Sequence, residues 1–408
     1  MLTVSLEYGQ SGEFTWTPPA SVSAVHHVGP TSDVAVGPTL TDLLAQPLDF
    51  PPLATAIVPG DRVVLAVEWG VPGVEAIVAA VWAVLRDVGL PPEDVLILQP
   101  ATWEAGPRVD PRSALPAAVR ELVRWKTHDP TAHEACGYLA ASASDERIYL
   151  SRDVLEADFI LPISTARFDP VLGYRGPCAV FYPGLSTPEA FAKAHGQGHS
   201  ELRPEDDRPL RQLVEEIGWL LGILFAIQVV PSSHRGGSAE LMVGNLEAVA
   251  QGSRKLLDRH WRLKLPDRVQ TVVAAVSATG GPATWESVGQ AVETATHLVS
   301  RGGKIVLLTD LAATPGPGID LLRGQRSPKS ALKPLRAATP HDLLPATQLA
   351  TAADWATVYL LSGLDSTLVE ELFCTPLGSE AEVARLLAGS EQLALLGSAQ
   401  QTHGEIVS

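Results

Sequence analysis

The stretch "DRVVLAVEWGVPGVEAIVAAVWAVLRDVGLPPEDVLILQP", residues 61–100, decides the fold class. Its first seven residues are a short apolar run bounded by charge and glycine, the pattern of a strand buried on both faces. From Gly73 the apolar residues recur at helical spacing and stop at Gly89, a residue suited to the left-handed turn that closes helices. A second apolar run, "DVLILQP", follows at once. Two buried strands joined by an amphipathic helix form a βαβ unit, and such a crossover implies a parallel sheet.

The alternation continues outward. "ADFILPIS" (157–164) reads as a strand. "STPEAFAKAH" reads as a helix start, with Ser186 or Thr187 as cap, Pro188 in the first turn and Glu189 placed for a capping box. "RSALPAAVRELVR" is expected to be a helix interrupted near Pro116, and further helices are expected over 207–222 and 239–259, around the strand "ILFAIQVV". Charge and turn composition shift at "DRHWRLKLPDR" (258–268), which divides an N-terminal α/β domain, 1–264, from a C-terminal one, 265–408. There "VQTVVAAV", "GGKIVLLTD", "WATVYLLSG" and "EQLALLGS" supply strands, "ATWESVGQAVETATHLVS" a helix, and 312–335 a loop rich in Pro, Gly and Arg. The last residues, "AQQTHGEIVS", read as a strand or a loose tail returning to the first domain. The expected fold is α/β with two domains, each a mostly parallel sheet flanked by helices.

Composition narrows the functional classes. A chain of 408 residues exceeds what one core serves, and 46% hydrophobic with 19% charged residues describes a globular protein. The net charge of -16 argues against nucleic acid and against an anionic membrane surface, both of which need clustered Lys and Arg. No apolar run reaches the roughly 18 residues of a membrane span, and no basic start followed by an apolar run suggests a leader, so a cytoplasmic location is expected. Cys136, Cys178 and Cys374 are widely spaced and fit a reducing compartment. Phosphate-loop signatures and the G-x-S-x-G elbow are absent.

Three polar groupings stand out. "THDPTAHEAC" (127–136) gathers His128, Asp129, His133 and Glu134, but Pro130 breaks the periodicity that would align a metal site, and a solvated turn is the plainer reading. "PSSHRGG" (231–237) follows a strand, where His234 and Arg235 could grip a carboxylate, although a surface turn explains it as well. In "SATGGPATWESVGQAVE" (277–293) a strand runs through paired glycines into a helix carrying Glu286 and Gln290 on one face.

In their order and spacing these segments resemble the nickel-pincer lactate racemase (LarA-like) family. The resemblance runs from "YG" at Tyr8 through "PLDFPPLATAIVPGDRVVLAV", "HDP" (128–130), "EADFILPIS" and the loop "GYRGPCAVFYPG" (173–184) to "SATGGPATWESVGQAVE" and "RGGKIVLLTD". It implies a site between two α/β domains, where the two hands of a 2-hydroxy acid are interconverted. The implied cofactor is a nickel-pincer nucleotide tethered to a lysine as a thioamide, with histidines moving the hydroxyl proton and one further histidine on nickel.

Position by position, most of this does not carry over. The tethering lysine falls on Ala179, a family histidine on Asp169, a lysine on Glu293 and a tyrosine on Gly289. The family segment D-H-T-R-P becomes "VEWGVPG" (67–73), and "ATWEAGPR" (101–108) lacks the second catalytic histidine. His195 falls on the nickel-ligating histidine, and Gln290 matches a glutamine. The resemblance therefore implies a divergent member that binds a small anionic ligand without the tethered cofactor. Asp169, Glu68 and Gln290 are its catalytic candidates, Arg167, Arg175, Arg235 and Glu286 its ligand-binding candidates, and His195 its metal candidate. One alternative is an isomerase, a racemase or epimerase using untethered cofactor with Asp169 as base. Another is a non-catalytic scaffold or partner of an active paralogue.

Overall fold

The computed structural model describes residues 3–102, 109–132, 134–195, 202–278 and 281–407, and His195 through its backbone alone. Two six-stranded sheets organise the chain. The first runs, in spatial order, Ser238–Asn245, Phe225–Pro231, Phe159–Thr165, Val63–Val67, Val95–Gln99 and Arg124–Thr127. Only its first pair is antiparallel. The second runs Cys374–Leu377, Thr357–Leu361, Val299–Leu308, Val269–Ala275, Gln392–Leu396 and Ser23–His27, parallel throughout. The amino-terminal strand Ser23–His27 thus forms an edge of the second sheet. The two halves are also joined where Arg262–Leu265 pairs in parallel with His403–Ile406.

The quoted βαβ unit is present as read. Val63–Val67 and Val95–Gln99 are buried at every position, which is why they carry unbroken apolar runs. Alternate residues go to opposite faces: Val63, Leu65 and Val67 join one core, Val64 and Ala66 the other. Between the strands, the helix Val74–Val88 lays Ile77, Val81 and Leu85 on the first of these cores. Gly73 and Gly89 bracket it at φ 65° and 94°, in the left-handed region that favours glycine.

Three expectations need correction. The helix expected over 239–259 is a strand followed by a helix, Ser238–Asn245 and then Leu246–His260. Ala239, Leu241 and Val243 are buried while Glu240 is exposed, a period of two that places this segment against Phe225–Pro231. Asn245 then starts the helix by accepting from the Glu247 and Ala248 amides at 3.0 and 3.4 Å. The loop expected over 312–335 contains the helix Pro317–Arg323 and most of Pro328–Ala338. Pro317 and Pro328 open those helices, where a missing N–H costs nothing; Ser327 caps the second, which also carries Pro334 inside it. Near Pro116 the helix begins after the proline, at Ala117–Leu122, rather than spanning it.

Each sheet has one point where its strand order reverses. In the first, the chain builds from Val63–Val67 outward to Arg124–Thr127 and then returns beside its starting strand at Phe159–Thr165. In the second, Gln392–Leu396 returns in the same way beside Val269–Ala275. Open α/β sheets hold ligands at such points, beyond the carboxyl ends of the strands. Among the described residues no helix is long and apolar enough to cross a membrane.

Replacing Asn245 with Ala removes the cap of the Leu246 helix. We expect a loss of about 1 kcal/mol in urea unfolding, with the far-ultraviolet circular dichroism spectrum unchanged.

Candidate functional site

The switch point of the first sheet carries a buried ionic cluster. Glu68 follows Val67, and its amide donates to the Ile163 carbonyl at 2.9 Å, extending the sheet by one residue. The residue is only 5% exposed. One carboxylate oxygen accepts from the Thr165 amide at 3.1 Å; the other accepts from Arg175 Nε and lies 3.4 Å from Arg167 Nη2. The two arginines face each other across a short hairpin, Arg167–Asp169 against Gly173–Arg175. Like charges directly opposite destabilise a strand pair, and Glu68 sits where it compensates both.

The cluster extends in two directions. Arg175 Nη1 lies 3.1 Å from Asp169 Oδ2, while Asp169 Oδ1 accepts from the Val171 and Leu172 amides at 2.8 and 2.9 Å. Arg167 reaches Glu286 of the second half at 3.5 Å, and Gln290 Nε2 donates to Glu286 at 3.4 Å. Burial opposes ionisation of Glu68 and Asp169, but Arg175, Arg167 and the amide donors outweigh it and hold both carboxyls below the usual range. Six residues singled out from sequence, Glu68, Arg167, Asp169, Arg175, Glu286 and Gln290, are thus brought together. Both arginines already hold carboxylates.

The remaining sequence candidates lie elsewhere. Arg235 donates to the backbone carbonyls of Gly9, at 3.1 Å, and Gly12, clipping the amino-terminal hairpin in place. His234 contacts the Thr31 carbonyl at 3.1 Å. His195 closes the helix Pro188–His195, and its side chain lies outside the described residues, as do His133 and residues 103–108. His128 is buried, not solvated, with its ring 2.9 Å from the Ser186 carbonyl, and Asp129 accepts from Thr131 in a tight turn.

Beside the cluster a cavity of about 40 Å³ opens between the two halves of the chain. Asp169 and Arg208 line it from the first half; Gln290, Glu293, His297 and His403 line it from the second. Arg208 is buried and donates to the carbonyls of Pro170, Leu202 and Arg203 at 2.7 to 3.1 Å. Glu293 accepts from Gln348 Nε2 at 2.9 Å. Desolvation, aided by the negative charge of Asp169, pushes the Glu293 carboxyl up to about 7, although Gln348 and Arg208 pull the other way. Burial, and then Arg268, lowers His297; burial, and then His297 and Arg262, lowers His403 to about 3.

Glu293, His297, His403 and Arg208 were not among the sequence candidates. A signal for two of them existed. Glu286, Gln290, Glu293 and His297 recur at i, i+4, i+7 and i+11, a polar stripe along a helix, Trp285–Leu298, that is otherwise largely buried.

The lysine-tethered group does not fit these residues. Ala179 is 2% exposed and sits in the turn Pro177–Val180, packed in an apolar cluster with Val180, Phe181, Leu210 and Val214. Among the described residues, no lysine lines the cavity and no three His, Cys, Asp or Glu side chains are grouped to hold a metal ion. At Gly289 a Cβ would meet Gln348 Oε1 and come within 3.0 Å of Pro345, leaving no room for a tyrosine.

Residues 9–204 match the family model of the lactate racemase N-terminal domain. Over the whole chain the fold is similar to the lactate racemase apoprotein from Thermoanaerobacterium thermosaccharolyticum, with a TM-score of 0.82, 13% identity, and coverage of 99% of this chain and 100% of that one. It is also similar to a protein from Thermotoga maritima, with a TM-score of 0.66, 12% identity, and coverage of 91% and 97%. No curated protein matches the sequence.

Two outcomes follow from the electrostatics. Glu293 has an ordinary value of 4.5 and a folded value near 7, so the folded state holds an extra proton between them and stability falls as pH rises through 7. Glu293→Gln should therefore exceed the parent in thermal stability at pH 8, by on the order of 3 kcal/mol, and match it near pH 4. Glu68→Gln should cost about 3–5 kcal/mol in urea unfolding, since it leaves two facing guanidinium groups without their shared counter-charge.

Proposed function

We propose that the chain, whose residues 9–204 match the lactate racemase N-terminal domain, is a divergent member of that family binding a small 2-hydroxy-acid-like anion between its two halves. On this reading it does not racemise that ligand through a lysine-tethered nickel cofactor. The observation that carries the reading is Ala179, a buried methyl side chain in an apolar turn at the position of the tether.

The cavity favours a ligand of few atoms. A water needs roughly 10–15 Å³ of such space, so about 40 Å³ takes some three waters or a ligand of comparable bulk. Arg167 and Arg175 would have to give up buried carboxylates to bind it, which makes them supports of the site rather than its grip. Arg208 supplies positive charge at the wall, and protonated Glu293 supplies an O–H donor to a ligand carboxylate. Asp169, held ionised with both oxygens occupied, is a poor base. Glu293 is the better acid–base group, because its value lies near neutral pH. Proton transfer is the chemistry these side chains can perform; none of them accepts a hydride. The acidic chain, at -16, fits a cytoplasmic protein whose partner is a small molecule.

Two measurements test this. Protein coexpressed with cofactor-synthesis enzymes should show an unmodified intact mass, and an adduct on the peptide 173–184 would overturn the reading. Titration calorimetry with lactate in buffers of different ionisation enthalpy should show uptake of a fraction of a proton near pH 7. Affinity should weaken by up to about tenfold for each pH unit above 7, because deprotonated Glu293 repels the anion.

A further inference from the structure

A second and larger pocket, of about 360 Å³, lies wholly within the first half and shares no lining residue with the cavity between the halves. One wall is the strand Arg147–Ser151, which forms an antiparallel hairpin with Cys136–Ala141; the other is the start of the helix Pro188–His195. Along the strand, Ile148 and Leu150 are buried in the apolar cluster behind it, so the period of two turns Arg147 and Tyr149 outward to the pocket. The two walls are tied together. The Ser151 amide donates to the Leu185 carbonyl at 2.7 Å, and Ser186 Oγ donates to the Tyr149 carbonyl. Tyr138 braces the Tyr149 ring edge-on, with centroids 5.7 Å apart.

Two polar groups on this pocket are uncommitted. Tyr182 is only 4% exposed, and its ring lies in the same apolar cluster. Its hydroxyl bonds no described residue, yet it is not sealed off, so the pocket is where it meets a partner. Buried tyrosines usually pair that hydroxyl. Burial, and then the charge of Glu146, pushes the phenol up to about 12, so it keeps its proton and is open to an acceptor. Arg147 has no ion pair among the described residues, whereas Lys193 is already held by Glu146. A free guanidinium and a free phenol O–H are donors suited to a carboxylate. Glu146 and Glu189 balance Arg147 and Lys193 on the lining, which leaves no surplus of positive charge for a doubly charged phosphate. The Tyr149 ring and Ala190 supply an apolar surface, and the volume is that of pockets holding ligands well above a few atoms, roughly 300–1,000 Å³.

We propose that this pocket is a second ligand site, which takes a monocarboxylate with an aromatic body: the carboxylate between Arg147 and the Tyr182 hydroxyl, the ring against Tyr149. The site stands apart from the anion-binding reading above and does not depend on it.

The test uses the full chain and titration calorimetry with phenylpropionate, phenethylamine and phenyl phosphate, with melting temperatures of every variant measured alongside. The parent should bind phenylpropionate with a millimolar or tighter dissociation constant and bind the other two more weakly. Arg147→Gln should weaken phenylpropionate about tenfold or more, and Tyr182→Phe about threefold to tenfold. Both variants should keep the parent's melting temperature, since Arg147 is exposed and the Tyr182 hydroxyl bonds no described residue. Absence of phenylpropionate binding by the parent would overturn the site, and that comparison needs no variant to fold. Unchanged affinity in either variant would overturn it as well, by placing the ligand elsewhere. Tighter binding of phenyl phosphate or phenethylamine would overturn the carboxylate assignment.

Discussion

The cavity's first wall depends on one compensated conflict: two arginines placed opposite each other in a three-residue-per-strand hairpin, with Glu68 buried between them. Strand pairing brings Arg167 and Arg175 together, and without a counter-charge that hairpin would spread. Glu68 can reach both because it is the first residue beyond Val63–Val67, at the reversal of strand order, and its backbone is tied to Ile163. Buried ion pairs seldom add much net stability, since desolvation cancels most of the attraction. What this one supplies is position. It sets the hairpin against the sheet, aims Asp169 toward the second half of the chain, and through Arg167 reaches Glu286 across the gap.

Much of this architecture was legible in the sequence, and for a simple reason. Parallel strands covered on both faces must be continuous apolar runs, so Val63–Val67 and Val95–Gln99 announce themselves without help from context. Ser238–Asn245 does not, because its alternation is short and the strong helix Leu246–His260 follows directly. A helical window laid over both segments absorbs the strand. The helices within 312–335 were hidden by the opposite effect: Pro317 and Pro328 read as loop residues, although proline is at home in a first helical turn. Nor could periodicity show that Ser23–His27 joins the second sheet, since nothing local records a partner some 370 residues away along the chain.

The site divides in the same way. Glu68, Asp169 and the two arginines could be named because the family resemblance places their segments at its site. Their mutual pairing could not be read, because it depends on the hairpin register that sets Arg167 opposite Arg175. Arg235 had a different credential, a cation just beyond a predicted strand, and serves backbone carbonyls of the amino-terminal hairpin instead. Position after a strand therefore nominates a residue without assigning its partner. His403 and Arg208 carried no pattern at all; one sits in the last strand and the other just before a helix, and only packing brings them to one cavity.

The substitutions at Asp169 and Glu293 act together. The family resemblance places a histidine and a lysine at these two positions, and here both are acids facing one cavity, so the wall's charge is reversed as a unit. Two carboxylates close together in a poorly hydrated space cannot both ionise cheaply. Arg175 and the Val171 and Leu172 amides settle which one does: they hold Asp169 charged, and the unfavourable share falls on Glu293. A group that a simple exchange would have made a second fixed negative charge becomes instead a carboxyl whose proton affinity is raised toward neutrality. The cluster on the first sheet thus determines what the helix of the second half can do, and the two halves of the chain work as a single electrostatic unit across the cavity they share.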